Sequence, residues 1–405
     1  MTCRYPLIAI AAYLVFDISS FAQTQHWQVV GYYAERHAAG DYPLKQLAEN
    51  GAARILTQLD YAFGKVAKNR CEVPNPDMEL KRVFSATGSV DGSNDSNDPN
   101  QLHGTFHQLQ ELKKEFPRLK ILISIGGWAS SEGFSDAAQP ANVREFVHSC
   151  VDTFINGNFA PGIHAPGVFD GIDVDWEYPV EGGLIPGRPE DTNNMNAMTA
   201  EFRRQLNSVR PGLLLTAAIP ATAEDYRHFD LKTLSRYMNY LSIMAYDLHW
   251  NAEKITNLQS ALFHDPADPS QPPADKHYGA HAAQDFLRAG VPARKIIFGV
   301  PFYGKGWTGV SNTNHGLYQP ARDASKSPPE YRNLKTLPDS ADRQFYPKLA
   351  TCSIWSNDEF FSYDCPRAMR AKTRYVRQHG LGGVMFWEMG QDTMDAELSK
   401  SLTQR

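Results

Sequence analysis

Short apolar runs rich in β-branched and aromatic residues recur along the chain, and amphipathic segments separate several of them. Apolar residues return every three or four positions in residues 102–116 and 195–209, which predicts two helices. A third helix is predicted to begin at Pro366 and to end just before Gly380. The predicted strands are residues 28–33, 54–65, 119–125, 168–177, 213–219, 239–246, 295–303 and 382–387. Strands that alternate with helices predict a parallel α/β fold, a (β/α)8 barrel (TIM barrel), with a doubly wound open sheet as the alternative.

The alternation breaks between the seventh and eighth predicted strands. Residues 307–364 hold many Pro, Tyr, Asp and Lys residues but show no clear pattern of a crossover helix. A segment of this length predicts a small α+β subdomain inserted into the barrel. A second polar stretch, residues 71–100, is predicted to be a surface excursion, because its acidic residues do not match the spacing of a calcium loop.

The first residues predict export. Arg4 precedes an apolar run at residues 6–16, and small residues follow at 19–22, which is the order found in a secretory signal. A run of about 11 residues is too short to cross a bilayer as a helix. We therefore expect residues 1–22 to be a signal peptide and residues 23–405 to form a secreted barrel domain, extracellular or periplasmic.

The cysteines fit an oxidising compartment. Cys3 falls within the predicted signal, which leaves four cysteines in the mature chain. Cys352 and Cys365 lie close together in the sequence and are the favoured pair, so Cys71 and Cys150 form the other pair by elimination. Four cysteines allow three pairings, and buried free thiols are the alternative.

Charge and composition bear on the class of partner. The formal net charge is −5, charged residues make up 21% of the chain, and no basic cluster suited to a nucleic-acid backbone is present. Aromatic residues make up 11%, which suits a carbohydrate groove, although core packing explains most aromatic residues equally well. We expect a monomer with no nucleic-acid partner, no membrane partner and no cofactor.

The run Phe-Asp-Gly-Ile-Asp-Val-Asp-Trp-Glu-Tyr-Pro at residues 169–179 carries the most informative chemistry. Asp173, Asp175 and Glu177 stand at alternate positions, so an extended strand would point all three to the same face. Carboxylates this close together resist ionising at the same time away from water. Stability alone would favour apolar residues there, so the run predicts a catalytic strand, with a solvated edge strand as the alternative.

Other predicted strands also end in residues that are unusual for a core. The third strand ends in Ser-Ile-Gly-Gly-Trp at residues 124–128, where the glycines would let a ligand approach the backbone closely. The sixth ends in Met-Ala-Tyr-Asp at residues 244–247, and the eighth ends at Trp387. Because the carboxyl ends of barrel strands meet on one face, these residues predict a binding cleft.

These three motifs, in this order, resemble glycoside hydrolase family 18, the chitinase family, over residues 29–392. The resemblance implies hydrolysis of β-1,4 bonds between N-acetylglucosamine units in chitin and chito-oligosaccharides. It also implies a retaining mechanism in which the substrate's own acetamido group acts as the nucleophile, without metal or cofactor. The predicted insertion is similar to that of family members with a deep groove.

The resemblance also implies roles for individual residues. Glu177 matches the general acid, Asp175 the residue that orients the N-acetyl group, Asp173 its deeper partner, and Tyr246 a contact to the acetamido group. The matching substrate-binding residues are Tyr32, Phe63, Gly127, Trp128, Met244, Asp247, Tyr303 and Trp387. Lys305 stands where relatives often carry an arginine, and a lysine cannot make the same bidentate contact.

Three other functions match parts of the pattern. Lectins of the same family bind chitin without cutting it, but they usually lack the final glutamate, which is present here as Glu177. An endo-β-N-acetylglucosaminidase acting on N-glycan cores would share the chemistry, and the predicted insertion favours chitin. A metal-dependent hydrolase has less support, because the histidines show no ligand pattern matched to the acids. These histidines are His103, His107, His249, His277 and His281.

Overall fold

Eight parallel strands close into a barrel in the computed structural model, which describes residues 27–38, 40–98 and 101–403. The strands are β1 (Gln28–Ala34), β2 (Gln58–Ala67), β3 (Lys120–Gly126), β4 (Gly171–Asp175), β5 (Leu214–Pro220), β6 (Tyr240–Met244), β7 (Ile296–Pro301) and β8 (Gly383–Trp387). Each strand pairs with the next, and β8 pairs with β1, so the predicted (β/α)8 barrel is confirmed. The predicted signal peptide, residues 1–22, lies outside the described residues.

Helices surround the barrel, and the main apolar core lies between them and the strands. The α-helices are Leu44–Glu49, Ala52–Ile55, Gly104–Glu115, Phe134–Ala137, Val143–Cys150, Asp191–Val209, Ala223–Tyr226, Leu231–Tyr237, Gly279–Arg288, Tyr331–Lys335, Pro366–Gln378 and Glu397–Ser401. They include the three helices predicted from spacing and capping residues. In the described part of the chain, no helix is both long and apolar enough to cross a membrane.

Two strands differ most from their predicted bounds. The second was predicted from residue 54, but Ala52–Ile55 is a short helix and the strand begins at Gln58. This helix follows Gly51, whose φ of 83° suits glycine, and it contains alanines, which favour helix. The fourth strand is shorter than predicted at both ends, so Glu177 lies beyond the strand instead of within it.

An antiparallel sheet of five strands lies between β7 and β8 in the chain, which confirms the predicted insertion. Its strands are Lys305–Thr308, Asp323–Ala324, Asp342–Tyr346, Thr351–Ser356 and Glu359–Tyr363. The first strand begins two residues before the predicted bound. Trp307 and Phe360 are fully buried in a separate apolar cluster on this sheet, to which Leu258 and Ala261 from the segment before β7 also contribute.

Both predicted disulfides are present. Cys71 pairs with Cys150, which joins the short strand after β2 to a helix on the outside of the barrel. Cys352 pairs with Cys365, which joins the inserted sheet to the start of the helix that precedes β8. The second bridge therefore ties the insertion to the barrel.

A buried ion pair strengthens the same junction. Lys372, on the helix before β8, contacts Asp364 at the end of the insertion, and both side chains are fully buried. Lys372 Nζ also donates to the Ser260 carbonyl at 2.5 Å, and Ser260 Oγ donates to Asp364 Oδ1 at 3.0 Å. Removing either partner would leave the other charge buried and uncompensated.

We expect Lys372→Met to lower the free energy of unfolding by about 3–5 kcal/mol, because it leaves Asp364 buried and unpaired. Urea unfolding at neutral pH measures this loss. Lys81→Met is the control, since Lys81 and Asp77 form an exposed pair that contributes less than about 1 kcal/mol. A loss no larger than that of the control would show that the buried pair does not hold the junction.

Candidate active site

A cleft of about 640 Å³ opens at the carboxyl ends of the barrel strands. All the predicted site residues line it except Asp173 and Gly127. Those that line it are Tyr32, Phe63, Trp128, Asp175, Glu177, Met244, Tyr246, Asp247, Tyr303 and Trp387. The fold therefore brings together residues that are spread over most of the sequence.

Asp173 lies on β4 beneath the cleft and is fully buried. Its carboxylate accepts hydrogen bonds from the hydroxyls of Tyr32 at 2.8 Å, Ser124 at 2.7 Å and Thr216 at 2.6 Å. These donors come from the three strands β1, β3 and β5. Burial raises the pKa of Asp173, while the three donors oppose that shift. The carboxyl is thus held in one place within the barrel.

Asp175 occupies the next interior position of β4 and borders the cleft. Burial raises the pKa of Asp175 well above its usual range, and the nearby carboxyls of Glu177 and Asp173 raise it further. Its Oδ1 atom is buried and has no hydrogen-bond partner among the described residues. A buried acceptor without a donor is costly unless a ligand supplies one.

Glu177 follows β4 by two residues, and its backbone N–H donates to Ser131 Oγ at 2.9 Å. Burial raises the pKa of Glu177 to about 7, and the charges of Asp247 and Asp225 contribute to the rise. Its carboxyl therefore carries a proton in a large fraction of molecules near neutral pH. This is the protonation state that a general acid needs.

Aromatic rings form the floor of the cleft. Trp387, at the end of β8, stacks on Phe63 with ring centres 5.4 Å apart, and Tyr32 packs against it at 5.5 Å. Tyr246 also lines the cleft, and burial raises the pKa of its hydroxyl well above 10, so the group remains a hydrogen-bond donor. An apolar floor with a few polar groups suits a sugar ring.

Gly127 does not face the cleft, although the glycines after β3 were predicted to admit a ligand. Gly126, the last residue of β3, lines the cleft, as does Gly182. Gly127 has a φ of 81°, and a Cβ atom there would lie 2.5 Å from the ring of Phe63. Its N–H donates to the Asp175 carbonyl at 2.7 Å. Gly127 therefore makes room for the ring of Phe63.

Lys305 organises one wall of the cleft from the first strand of the insertion. Its Nζ lies 2.9 Å from Asp247 Oδ1 and 3.9 Å from the centre of the Trp250 ring. The Tyr303 hydroxyl donates to the same Asp247 oxygen at 2.6 Å. The lysine therefore makes an ion pair and a cation–π contact at once, which fixes the carboxylate and the indole relative to each other.

Sequence reasoning missed Asp60, Asp225 and Trp250. Asp60 lies on β2, and burial together with the charge of Asp173 raises its pKa well above the usual range. Gln58 and Asp60 are buried polar residues at alternate positions of an otherwise apolar strand, and that alternation could have revealed them. Asp225 lines the cleft from the four-residue helix after β5, and Trp250 lines it from the loop after β6. Neither segment is long enough for periodicity to mark a side chain.

His277 also lines the cleft, and its ring contacts the Leu248 carbonyl at 3.1 Å and Glu224 at 3.2 Å. Within the described ranges, no group of three or more His, Cys, Asp or Glu residues is placed to hold a metal ion.

Comparisons with known proteins agree with this geometry. The family model described as "Glycosyl hydrolases family 18" matches residues 28–392. Chitinase C from Streptomyces lividans is 33% identical over 377 residues, which are 91% of this chain and 58% of that protein. The chain therefore spans less than two thirds of the length of this relative.

Two solved structures share the fold. The catalytic domain of the psychrophilic chitinase B from Arthrobacter TAD20 has a TM-score of 0.86 at 32% identity, covering 93% of this chain and 94% of that chain. A family 18 N-acetylglucosaminidase from Paenibacillus barengoltzii has a TM-score of 0.75 at 27% identity, covering 93% of this chain and 99% of that chain.

We expect Gly127→Ala to lower the free energy of unfolding by about 2 kcal/mol or more, because the new methyl group collides with Phe63. Gly51→Ala is the matched control: Gly51 has a similar φ of 83° but nothing within 4 Å of the added Cβ, so it tests backbone strain alone. Urea unfolding of both variants measures the difference. Equal losses of unfolding free energy in the two variants would mean that Phe63 moves aside freely and that its position does not depend on the missing side chain at Gly127.

Proposed function

Since this chain belongs to family 18 of the glycosyl hydrolases, we propose that it is a chitinase. It hydrolyses β-1,4 bonds between N-acetylglucosamine units of chitin and chito-oligosaccharides with retention of configuration. The observation that carries the proposal is the unpartnered, buried Oδ1 of Asp175 beside a Glu177 whose pKa is raised to about 7. This pair offers an acceptor for an acetamido N–H and a proton for a leaving oxygen.

In the first step the reacting sugar lies on Trp387, and its acetamido N–H donates to Asp175. The Tyr246 hydroxyl holds the acetamido oxygen, which attacks the anomeric carbon of the same sugar. Glu177 donates its proton to the glycosidic oxygen as the bond from the anomeric carbon to that oxygen breaks. An intramolecular attack of this kind gains rate only when the reacting atoms are held in line. The fixed carboxyl of Asp173, deeper in the barrel, helps to hold Asp175 in the position that this alignment needs.

In the second step a water molecule opens the oxazolinium ion on the face that the leaving group vacated. Glu177, now ionised, accepts a proton from this water, and the acetamido group is restored. Two displacements at the same carbon leave its configuration unchanged. The negative charge shared by the neighbouring carboxyls of Asp173 and Asp175 stabilises the positive charge on the intermediate.

Glu177→Gln tests the proton donor. We expect it to lower kcat on chito-oligosaccharides by at least about 100-fold, because the amide cannot supply the proton. Binding of the oligosaccharide, measured by calorimetry, is expected to change little, since the side chain keeps its size. Glu145→Gln, on an outer helix, is the control and should retain full activity. A Glu177→Gln enzyme with most of its activity would exclude this residue as the acid.

The pH dependence tests the charges around the donor. Activity needs protonated Glu177, so kcat/KM is expected to fall as the pH rises through its pKa of about 7. Asp247→Asn removes a charge that raises this pKa, so the alkaline limb of the profile should move to lower pH. Asp77→Asn, at an exposed position, should leave the limb in place. An unchanged or alkaline-shifted limb in Asp247→Asn would contradict the assignment.

The nucleophile is tested with the substrate. Fully deacetylated oligomers lack the acetamido oxygen, so we expect no detectable cleavage of these oligomers under conditions that cleave the acetylated ones. A thiazoline analogue of N-acetylglucosamine should inhibit competitively. Rapid hydrolysis of the deacetylated oligomers would show that the substrate's amide is not the nucleophile.

The Paenibacillus barengoltzii structure favours one second candidate, an N-acetylglucosaminidase activity at the same centre. Product analysis on chito-oligosaccharides of defined length separates the two. A chitinase that cleaves inside the chain releases oligomers, whereas an N-acetylglucosaminidase releases single sugars.

We also propose that the protein is exported and works as a monomer. The signal pattern of residues 1–22 supports export, and so do the two disulfides, because disulfides persist in oxidising compartments. Mass spectrometry of the exported chain should find a mature N-terminus near Gln23, and light scattering should give the mass of a single chain.

A further inference from the structure

A buried carboxylate directly follows the floor of the cleft. Glu388 comes after Trp387, the last residue of β8, and its side chain is fully buried. Its Oε1 atom accepts from Arg36 Nη2 at 2.7 Å and lies 2.7 Å from His37 Nε2. Its Oε2 atom accepts from the Gly390 N–H at 3.2 Å. Because a buried carboxylate is costly without such partners, these contacts fix where the side chain lies.

His37 extends these contacts to the insertion. Its Nδ1 atom lies 2.9 Å from Asp41 Oδ1, and Asp41 pairs with Arg332 on the inserted helix Tyr331–Lys335. Burial lowers the pKa of His37, but the hydrogen bonds to Glu388 and Asp41 and the charge of Glu388 outweigh burial and raise the pKa above its ordinary value. The charged form of the ring is therefore favoured, and charges alternate in sign from Glu388 to the insertion.

The contacts of Glu388 join the ends of two neighbouring strands. Arg36 and His37 lie in the short helical turn that directly follows β1, and β1 pairs with β8 along the barrel wall. The ring of His37 packs against the backbone after β8, where a Cβ atom on Gly390 would lie 2.3 Å from it. The segment after β8 is thus held against the segment after β1 by charge and by close packing.

The same two strands meet again inside the cleft. Tyr32, on β1, packs against Trp387 with ring centres 5.5 Å apart. The Trp387 carbonyl accepts from the N–H of Phe302, the residue after β7, at 2.8 Å. Trp387 therefore has an anchor on each side, because its carbonyl is held from β7 and the residue that follows it is held from β1.

We propose that Glu388 and His37 are positioning residues for Trp387. By holding the end of β8 against the end of β1, they keep the indole at the angle that the reacting sugar needs. The inference rests on the proposed function, because the sugar is what the indole supports. Both side chains lie outside the lining of the cleft, so they act through Trp387 and touch no substrate.

Glu388→Gln tests the role of the carboxylate, because it keeps the size of the side chain and removes its charge. We expect kcat on chito-oligosaccharides to fall about 10- to 100-fold, since a small displacement of a group that holds the reacting sugar is costly in rate. KM should change less than about threefold. Lys372→Met is the matched control: it also breaks a buried ion pair close to β8, but it removes no contact of Trp387. Where both variants are folded, the control should keep kcat within about twofold.

Two variants of His37 test the second positioning residue. His37→Gln should keep more of kcat than His37→Ala, because the amide can still donate to Glu388 and alanine cannot. His37→Ala leaves Arg36 on the carboxylate, so it repeats the test if Glu388→Gln does not fold. Equal kcat values in His37→Gln, His37→Ala and the unmodified enzyme would contradict the role of the ring.

Fluorine NMR follows the indole without substrate. In protein labelled with fluorotryptophan, the resonance of Trp387 is assigned by its absence in Trp387→Phe. It should shift or broaden in Glu388→Gln and stay in place in Lys372→Met. An unmoved resonance in folded Glu388→Gln, or a loss of kcat as large in Lys372→Met, would overturn the inference. If the unmodified enzyme cleaves no chito-oligosaccharide, the proposed function fails, and this resonance still decides whether Glu388 positions Trp387.

Discussion

The structure depends on placing several carboxyls close together in a barrel interior that excludes water. Such interiors are usually filled with branched apolar side chains. Here Asp60, Asp173 and Asp175 are 1%, 0% and 4% exposed. Burial and mutual repulsion oppose their ionisation, so the carboxyls cannot all be charged at once. The three hydroxyls on Asp173 partly offset that cost and fix where the remaining charge lies. Burial likewise raises the pKa of Glu177 to about 7.

Much of this arrangement could be predicted from the sequence, because it follows from local rules. Asp173 and Asp175 stand at alternate positions of a strand, so both side chains could be predicted to point into the barrel. The residues between and beside them, Ile172, Val174 and Trp176, point the other way and pack in the core against the helices. The carboxyl ends of parallel strands share one face, so motifs distant in sequence could be assigned to one cleft. Apolar residues at helical spacing likewise predicted the helices Gly104–Glu115 and Asp191–Val209, because that spacing places them on one face of a helix.

The parts that could not be predicted depend on contacts between distant segments. Asp225 lies in a four-residue helix and Trp250 in a loop, and neither segment is long enough for a period to mark which side chain turns toward a ligand. The role of Gly127 depends on Phe63, which comes from a different strand and takes the space that a side chain would need. Lys305 looked like a weaker substitute for arginine, but its contacts are to Asp247 and Trp250 within the protein. Only the folded chain shows these pairings.

The position of Lys305 has a consequence for how such enzymes diversify. The cation that neutralises Asp247 comes from the inserted sheet, whereas Asp247 and Trp250 follow a barrel strand. Recombination that exchanged the insertion between relatives would therefore also exchange the charge opposite this aspartate. An insertion with no cation at this position would leave the Asp247 carboxylate beside the cleft without its ion-pair partner, so the inserted sheet and the loop after β6 are electrostatically matched.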